Sequence, residues 1–411
     1  MNQDATIVIT GLGLVTPIGI GKGLFWDALL AGRNGIRPIS AFDTARYRTH
    51  RGGEVQDFDP ARYCQRVPPK KIGRGAQLAV AASRLALTDA GVESATFTPA
   101  RVAVVCGTTM GESPTAEAVD TAIVCGGDDG LEKIAPSFPF QFPSDMIPGS
   151  VARELELSGP VMTISTACAA GNYAIGYGAD LLRFGSVDMV LAGGSDPLSR
   201  VVFTGFNSML AVAPELCQPF DRNRKGMCVS EGAAMLVLER ADSARRRGVE
   251  IYAEVTGYGL SNDAHHMTAP HPQGRGAYQA MIRAMEDSRI SRDSIDYISA
   301  HGTGTPANDK IETLAIKRAL GDGAYAIPVS SIKSMLGHTM GAAAAIEAAA
   351  GALAIRHGVL PPTMHYEEPD PECDLDYVPN QPREKRIGTV LSNSFAFGGN
   401  CATLILSRYG A

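Results

Sequence analysis

The stretch Thr163-Ile164-Ser165-Thr166-Ala167-Cys168-Ala169-Ala170-Gly171-Asn172 joins an apolar, strand-like run to a segment of small residues that is typical of a helix. A cysteine between a strand end and a helix start lies beside unpaired backbone N–H groups, which lower the pKa of a thiol. The same N–H groups can stabilise an oxyanion, and the small neighbours leave room for a substrate carbonyl. A buried structural cysteine explains this stretch, taken alone, equally well.

Length and composition limit the class of protein. The chain has 411 residues, of which 45% are apolar, enough for one large or two medium cores. Its formal charge of −6 argues against nucleic acid or an anionic membrane surface as the main partner. The eight cysteines are scattered without a CxxC pair, as in a reduced protein. Residues 1–4 show no signal peptide, and the apolar run 342–355 is too short to cross a bilayer. We therefore predict a cytoplasmic protein.

Two segments of the chain recur in the same order. Ile9–Leu14 (ITGLGL) returns as Val255–Leu260 (VTGYGL), and Ala234–Arg240 (AMLVLER) returns as Ala402–Arg408 (ATLILSR). Each copy has the apolar character of a buried strand. The repeat therefore indicates a duplicated α/β unit.

The duplication predicts two halves, residues 1–250 and 251–411, each with buried strands alternating with helices. Sites of such folds tend to lie where the halves meet. The pattern Cys168-x-x-Gly171 matches His338-x-x-Gly341, again at the start of a helix. We therefore expect a histidine close to the thiol.

The second half contains two loops with chemically active side chains. His301-Gly302-Thr303-Gly304-Thr305-Pro306 follows a predicted strand, and Lys333 precedes His338 by five residues in a second loop. The glycines permit close backbone approach, and the threonines supply hydroxyl groups suited to a long, amide-containing ligand. Two histidines and a lysine in such loops, with a cysteine in the other half, predict an active site.

The sequence resembles the elongating β-ketoacyl-acyl-carrier-protein synthases, a group of thiolase-like condensing enzymes, over nearly its whole length. The resemblance rests on four motifs: Thr166–Gly171, His301–Pro306, Lys333–His338 and Asn393–Gly399. It implies a thiolase-like five-layer αβαβα fold made of two duplicated halves. It also implies a dimer whose partner subunit helps to close each acyl pocket.

The same resemblance implies a mechanism. Cys168 takes an acyl chain from a carrier-protein thioester. His301 and His338, as neutral imidazoles, polarise the thioester carbonyl of malonyl-acyl-carrier-protein, so that loss of CO₂ leaves a stabilised enolate. The enolate attacks the acyl group and gives 3-oxoacyl-acyl-carrier-protein. Lys333 is expected to orient and tune the histidines, with Glu312 as its ion partner.

Further residues follow from the resemblance. Phe397 is expected to act as a gate and to supply, with Cys168, the N–H groups that hold the oxyanion. Thr303 and Thr305 are expected to bind the pantetheine arm, and Met110 to set the depth of the acyl pocket. The substrate-binding set is Thr303, Thr305, Met110, Phe206, Thr268 and Phe395.

A basic cluster of four residues precedes a predicted helix at 76–90: Arg66, Lys70, Lys71 and Arg74. Its sign is opposite to the net charge of the chain, so it predicts docking of an acidic partner, here acyl carrier protein, although a solvated face is the simpler explanation. Glu112, close to Met110, is expected to face a partner subunit or to favour polar or unsaturated chains.

No cofactor and no metal are expected. The histidines at 265, 266 and 271 lack cysteine or carboxylate partners at ligand spacing. A non-decarboxylating thiolase is the first alternative, with Cys401 as its second cysteine, but it leaves His338 unexplained. A non-catalytic chain-length-factor subunit would normally lack Cys168. Asn400-Cys401 departs from the pair usual in the family.

The sequence leaves the pathway open. Fatty-acid elongation predicts a homodimer that accepts saturated chains, whereas type II polyketide or polyene elongation predicts a heterodimer with a chain-length-factor-like sister subunit. Met110 and Glu112 lean slightly toward the second.

Overall fold

The structure is a computed structural model that describes residues 5–93, 96–132, 134, 138 and 141–410. Within these ranges, no helix combines the length and the apolar character needed to cross a membrane.

The described residues form one large sheet, two small two-stranded sheets and helices that cover them. The strands are β1 (Ile7–Thr16), β2 (Gly19–Ile20), β3 (Ile36–Pro38), β4 (Arg51–Gly53), β5 (Val102–Gly107), β6 (Val161–Ile164), β7 (Met189–Asp196), β8 (Gly232–Arg240), β9 (Ala253–Asn262), β10 (Tyr297–Ser299), β11 (Val329–Ser330), β12 (Val359–Leu360), β13 (Arg383–Glu384), β14 (Thr389–Phe395) and β15 (Asn400–Ser407). The helices are α1 (Lys22–Leu30), α2 (Arg74–Asp89), α3 (Ser113–Gly126), α4 (Asp128–Glu132), α5 (Met146–Leu155), α6 (Ala170–Arg183), α7 (Arg200–Ser208), α8 (Ala241–Arg247), α9 (Arg275–Ser288), α10 (Pro306–Leu320), α11 (Lys333–Leu336) and α12 (Ala343–His357).

The large sheet has the same strand order on either side of its centre. Its path is β11-β10-β14-β15-β9-β1-β8-β7-β5-β6, with β2 paired to β1. At the centre β1 and β9 pair antiparallel, with Val8 opposite Glu254. Outward from this pair, β1-β8-β7-β5-β6 mirrors β9-β15-β14-β10-β11. The two copies of the repeated segment 9–14 therefore lie in equivalent strands.

Helices α6 and α12 form a central layer, because each contacts strands of both halves. Helices α2 and α5 cover the outer face of the first half, and α9 covers that of the second. Helix α10 packs beside α9 and contributes to the same hydrophobic core as strands β10, β11 and β14. A side chain at Gly171 of α6 would lie 2.5 Å from the backbone nitrogen of Ala345 in α12, so the central helices require a small residue there. The result is the five-layer arrangement that the resemblance implies.

Both central helices begin with the same backbone turn. A 3-10 turn, Ala167–Ala169, precedes α6, and another, Met340–Ala342, precedes α12. The first residue of each turn is left-handed, with φ of 50° at Ala167 and 51° at Met340. Left-handed backbone is rare outside glycine, so the shared strain is a better guide to equivalence than residue spacing.

This equivalence corrects the predicted match of Cys168 to His338. By backbone geometry Cys168 corresponds to Gly341, and His338 corresponds to Ser165, three residues away from the predicted register. The spacing misled because the two glycines have different roles. Gly171 packs against α12, whereas Gly341 makes room for the carboxylate of Asp196, which lies 2.7 Å from an added Cβ.

Candidate active site

Three side chains from separate loops converge where the halves meet. Cys168 follows β6, His301 follows β10, and His338 follows α11. The sulfur of Cys168 and one ring nitrogen from each histidine all lie within 4.8 Å of one another. The imidazole centroids are 5.4 Å apart and their planes are nearly perpendicular. All three residues are buried, so a group placed between them is shielded from water.

The turn that carries Cys168 is held from the opposite half. Ser394 donates a hydrogen bond of 2.8 Å from its hydroxyl to the carbonyl of Cys168. Burial raises the pKa of the Cys168 thiol to about 12, while the charge of Lys333 and the N–H of Cys168 itself act in the opposite direction. The sequence-based prediction of a lowered pKa is therefore wrong, because desolvation outweighs the charge of Lys333 and the N–H of Cys168.

Hydrogen bonds fix the tautomers of the two histidines. The backbone N–H of Met340 donates to Nδ1 of His338 at 3.1 Å. Nζ of Lys333 lies 3.5 Å from Nδ1 of His301 and donates to the carbonyl of His301 at 2.7 Å. A backbone N–H and an ammonium group can donate a hydrogen bond but cannot accept one. Both Nδ1 atoms are therefore acceptors, and the proton of each ring is on Nε2. Each imidazole thus offers an N–H donor.

The same two rings are neutral. Burial lowers the pKa of His301 and of His338 well below its usual range, and the charge of Lys333 lowers both further. A thiol and two imidazoles are also a donor set that Zn²⁺ accepts. A ring nitrogen that carries its proton cannot coordinate a cation, so the tautomers suit an oxyanion better than a metal.

Lys333 corrects a predicted ion pair. Its side chain is 1% exposed, and its ammonium group pairs with Glu347 of α12, not with Glu312. Glu312 instead accepts the N–H groups of His301 and Gly302, both at 2.8 Å, and so holds the histidine loop. Burial raises the pKa of Glu312 to about 7, opposed by these two N–H groups. Glu347 was detectable as the single charge within the apolar run 342–355.

A cavity of about 320 Å³ leads to Cys168. Its lining includes five of the six predicted substrate-binding residues, namely Phe206, Thr268, Thr303, Thr305 and Phe395, and also the predicted gate, Phe397. The hydroxyls of Thr303 and Thr305 are 2.8 Å apart, and the rings of Phe206 and Phe397 are 5.4 Å apart between centroids. Met110 is outside this lining and is 49% exposed on the loop after β5.

Two loops at the cavity are hydrogen-bonded to each other. The N–H of Gly398 donates to the carbonyl of Met267 at 2.8 Å. The side chain of Asn262 donates to the oxygen of Asn400 at 3.2 Å, which gives Asn400 a structural role. Cys401 lines the same cavity, but the group in mutual reach contains Cys168 and two histidines. This arrangement disfavours the thiolase alternative.

The four residues of the predicted basic cluster differ in their surroundings. Arg74 forms an ion pair with the buried carboxylate of Glu231, with nitrogen and oxygen 2.7 Å apart, and stacks over Phe58. Arg74 is therefore tied to the fold through Glu231, and because 31% of its side chain is exposed, its role in carrier-protein docking stays a prediction. Lys70 and Lys71 are exposed, and Arg66 is exposed beside Glu156.

Glu112 caps a helix. Its carboxylate is fully buried and accepts the N–H groups of Gly75 and Ala76, at 3.1 and 2.6 Å, in the first turn of α2. Burial raises the pKa of Glu112 to about 7, opposed by those two hydrogen bonds. Both predicted explanations of Glu112 are wrong, because a capping carboxylate inside the fold does not face a partner subunit or an acyl chain.

Comparisons with known proteins identify the family of the chain. Residues 4–244 match the family described as "Beta-ketoacyl synthase, N-terminal domain", and residues 252–367 match "Beta-ketoacyl synthase, C-terminal domain". The chain is 44% identical to the tetracenomycin polyketide synthase ketoacyl synthase alpha subunit of Streptomyces glaucescens, covering 99% of this chain and 98% of that protein. It is 41% identical to 3-oxoacyl-[acyl-carrier-protein] synthase 2 of Coxiella burnetii, covering 99% of both.

A solved structure of "The ishigamide ketosynthase/chain length factor" superimposes with a TM-score of 0.95 at 43% identity, covering 99% of this chain and 100% of that one. The family match covers most of the chain, and the relatives are similar over their full length. The chain therefore belongs to the β-ketoacyl synthase family.

Proposed function

We propose that this chain catalyses the decarboxylative Claisen condensation of an acyl group held on Cys168 with malonyl-acyl-carrier-protein, giving 3-oxoacyl-acyl-carrier-protein and CO₂. The convergence of one thiol and two N–H-donating imidazoles within 4.8 Å supports this proposal above all. A thiol is the nucleophile for a thioester exchange, and two neutral donors suit a developing enolate.

The first step transfers the acyl group. The sulfur of Cys168 attacks the thioester carbonyl of the acyl carrier protein, and the oxyanion is held by the N–H groups of Cys168 and Phe397. Collapse breaks the bond to the pantetheine sulfur, and that sulfur takes up the proton lost by Cys168. Because the thiol proton ends on the leaving group, the exchange balances without a separate base.

The second step forms the carbon–carbon bond. The Nε2–H groups of His301 and His338 donate to the malonyl thioester oxygen, so loss of CO₂ leaves an enolate in place. The enolate carbon attacks the acyl carbonyl on Cys168, and collapse releases the Cys168 thiolate and the 3-oxoacyl product. Lys333 holds Nδ1 of His301 as an acceptor through this step.

Substrate binding follows from the cavity. Thr303, Thr305 and Thr268 bind the pantetheine arm, and Phe206 and Phe395 contact the acyl chain. Met110 lies outside the cavity of one chain, so its role in pocket depth requires the partner subunit. Arg66, Lys70 and Lys71 dock the acidic carrier protein.

The partner subunit follows from the relatives. The ishigamide structure is named for a ketosynthase with a chain length factor, and the tetracenomycin relative is an alpha subunit. We favour polyketide or polyene elongation in a heterodimer with a chain-length-factor-like sister. The 41% identical 3-oxoacyl-[acyl-carrier-protein] synthase 2 supports fatty-acid elongation in a homodimer as the second candidate. The chain is proposed to work in the cytoplasm without a cofactor.

Mass spectrometry of Cys168 after incubation with acyl carrier proteins, together with size-exclusion chromatography, tests the proposal. We expect an acyl adduct on the Cys168 peptide and 3-oxoacyl product once malonyl-acyl-carrier-protein is added. Partially reduced, unsaturated chains and a need for a sister subunit would favour the polyketide pathway, whereas saturated chains on a homodimer would favour fatty-acid elongation. An unmodified Cys168 with every carrier tested contradicts the function.

A further inference from the structure

A buried carboxylate that the mechanism above does not use connects the two halves beside the site. Asp196 is the last residue of β7 and is 2% exposed. One of its oxygens accepts the hydroxyl of Thr108 at 2.7 Å and the N–H of Met110 at 3.4 Å. The other accepts the N–H of Thr109 at 2.7 Å and that of Gly341 at 2.6 Å.

The bond to Gly341 reaches the turn that fixes His338. Met340, the left-handed residue of that turn, donates its N–H to Nδ1 of His338. Gly341 comes next, and its N–H is held by Asp196. An L-residue in left-handed backbone persists only where its surroundings enforce it. Asp196 supplies such an anchor directly after the strained residue.

Packing around this contact leaves little freedom. A Cβ on Gly341 would lie 2.7 Å from the carboxylate oxygen of Asp196 and 2.7 Å from the backbone of Thr108. A Cβ on Gly194 would lie 2.5 Å from the carbonyl of Gly341. The turn is therefore confined from two sides by the first half of the chain.

We propose that Asp196 is a positioning residue for His338: by anchoring Gly341 it keeps the N–H of Met340 on Nδ1 and so keeps the ring proton on Nε2, where the thioester oxygen is polarised. This inference rests on the proposed function, because it concerns decarboxylation by that site. The same carboxylate holds the loop at 108–110, so the position of the His338 turn depends on that loop.

The inference predicts that acyl loading and decarboxylation separate. Asp196→Ala removes both carboxylate oxygens that accept from Gly341 and from the loop at 108–110, so the Met340 turn relaxes and the His338 tautomers mix. Loss of alignment of this size costs about 100-fold in rate. We expect malonyl decarboxylation to fall about 100-fold while loading of Cys168 stays within threefold. Asp196→Asn can keep its oxygen on Gly341, with the Thr108 hydroxyl accepting from the amide, and is expected to restore decarboxylation to within fivefold of the wild type.

The tautomer is measured directly by ¹⁵N NMR of histidine-labelled full-length protein, with the His338 signals assigned from a His338→Asn sample. We expect a single Nε2–H form in the wild type and in Asp196→Asn, and a mixture in Asp196→Ala. In Gly341→Ala the added methyl group disrupts the hydrogen bond between Asp196 and the N–H of residue 341, so this variant must show the same mixture of His338 tautomers. It provides the test if Asp196→Ala does not fold. Asp188→Asn removes an exposed carboxylate just before the same strand and serves as the charge control.

Three outcomes are decisive. Unchanged decarboxylation and an unchanged tautomer in a folded Asp196→Ala protein overturn the inference and leave the proposed function intact. Equal losses of loading and decarboxylation, with a single tautomer retained, show a purely structural residue and also overturn it. A wild-type protein that neither loads Cys168 nor decarboxylates malonyl-acyl-carrier-protein removes the proposed function and this inference with it.

Discussion

The turns before α6 and α12 share one backbone conformation but place different reactive side chains in the site. Each begins with a left-handed residue, continues as a 3-10 turn and enters a helix of small residues. In the first half the strained residue is Ala167, and the side chain that follows it is the thiol of Cys168. In the second half it is Met340, whose N–H points back to His338. Duplication therefore preserved the turn, whereas the reactive group moved to a different position relative to it.

This comparison is tested most severely by removing the group that only the first turn supplies. Cys168→Ala should abolish acyl loading and reduce condensation to the uncatalysed background, because no other thiol belongs to the reactive trio. Decarboxylation of malonyl-acyl-carrier-protein should persist, since it uses the second turn. Peptide mass spectrometry and CO₂ release measure the two activities. Cys106→Ala removes another buried thiol and should load normally. Condensation by Cys168→Ala contradicts the assignment.

The reciprocal test removes the group that the second turn holds. His338→Ala should load Cys168 at close to the wild-type rate, but condensation should fall about 100- to 1,000-fold, the usual loss when one oxyanion donor is removed. Single-turnover assays starting from acylated enzyme separate the two steps. His357→Ala, a distant histidine stacked on Trp26, is the matched control. Normal condensation by His338→Ala would be inconsistent with two imidazole donors.

The sequence predicted the duplicated fold and the position of the site, but it did not predict which residues of the two turns are equivalent. The repeats at 9–14 and 255–260 and the loops at 301 and 338 were enough to predict a duplicated fold with a site at the junction. The equivalence of Cys168 with Gly341 was beyond the sequence, because backbone strain at Ala167 and Met340 leaves no pattern in residue type. Glycine spacing was the available signal, and the two glycines serve different contacts.

The hydrogen-bond and ion-pair partners of the buried charged side chains could not be predicted from the sequence either. Glu312 is near the histidine loop along the chain, but helix α10 directs its carboxylate to backbone N–H groups, and Glu347 reaches Lys333 from α12. Glu112 was predicted to face a partner subunit or to favour polar or unsaturated acyl chains, and Arg74 was predicted to belong to a basic surface cluster. Burial and pairing across the fold decide such cases, and neither is a local property.

The rate of decarboxylation is expected to depend little on pH, because it uses the two histidines. Because the pKa values of His301 and His338 are lowered, acid must go further before either ring takes up a proton. A ring with the ordinary pKa of about 6.5 would lose about tenfold in its neutral form between pH 7.5 and 5.5. We expect decarboxylation by Cys168→Ala to change less than twofold over this range. A tenfold fall at pH 5.5 would show that the rings titrate normally.

Lys333 links the two turns, because its charge lowers the pKa of Cys168 as well as those of both histidines. In Lys333→Met the thiol loses this stabilisation of its ionised form, and a change of one pKa unit slows alkylation about tenfold below the pKa. Iodoacetamide labelling of Cys168 at pH 8 should slow by about that factor. Lys317→Met, which removes an ammonium paired with Asp374 at the surface, should leave labelling unchanged. Faster labelling in Lys333→Met would contradict the conclusion that the charge of Lys333 lowers the pKa of Cys168.

The smallest expected effect is on the free energy of unfolding, and it tests the left-handed backbone strain at Ala167. A left-handed residue other than glycine costs roughly 1–2 kcal/mol, and glycine loses about 0.5–1 kcal/mol more conformational freedom on folding than alanine. Ala167→Gly should therefore raise the free energy of unfolding by about 0.5–1 kcal/mol. Ala169→Gly, two residues on at φ of −85°, relieves no strain and should lower it by about 0.5–1 kcal/mol. Urea denaturation measures both. Ala169 is also more deeply buried than Ala167, so the loss of its methyl group adds to the decrease. Equal signs for the two variants would show that the turn at Ala167 is not strained, and the equivalence of Ala167 with Met340 would lose its physical basis.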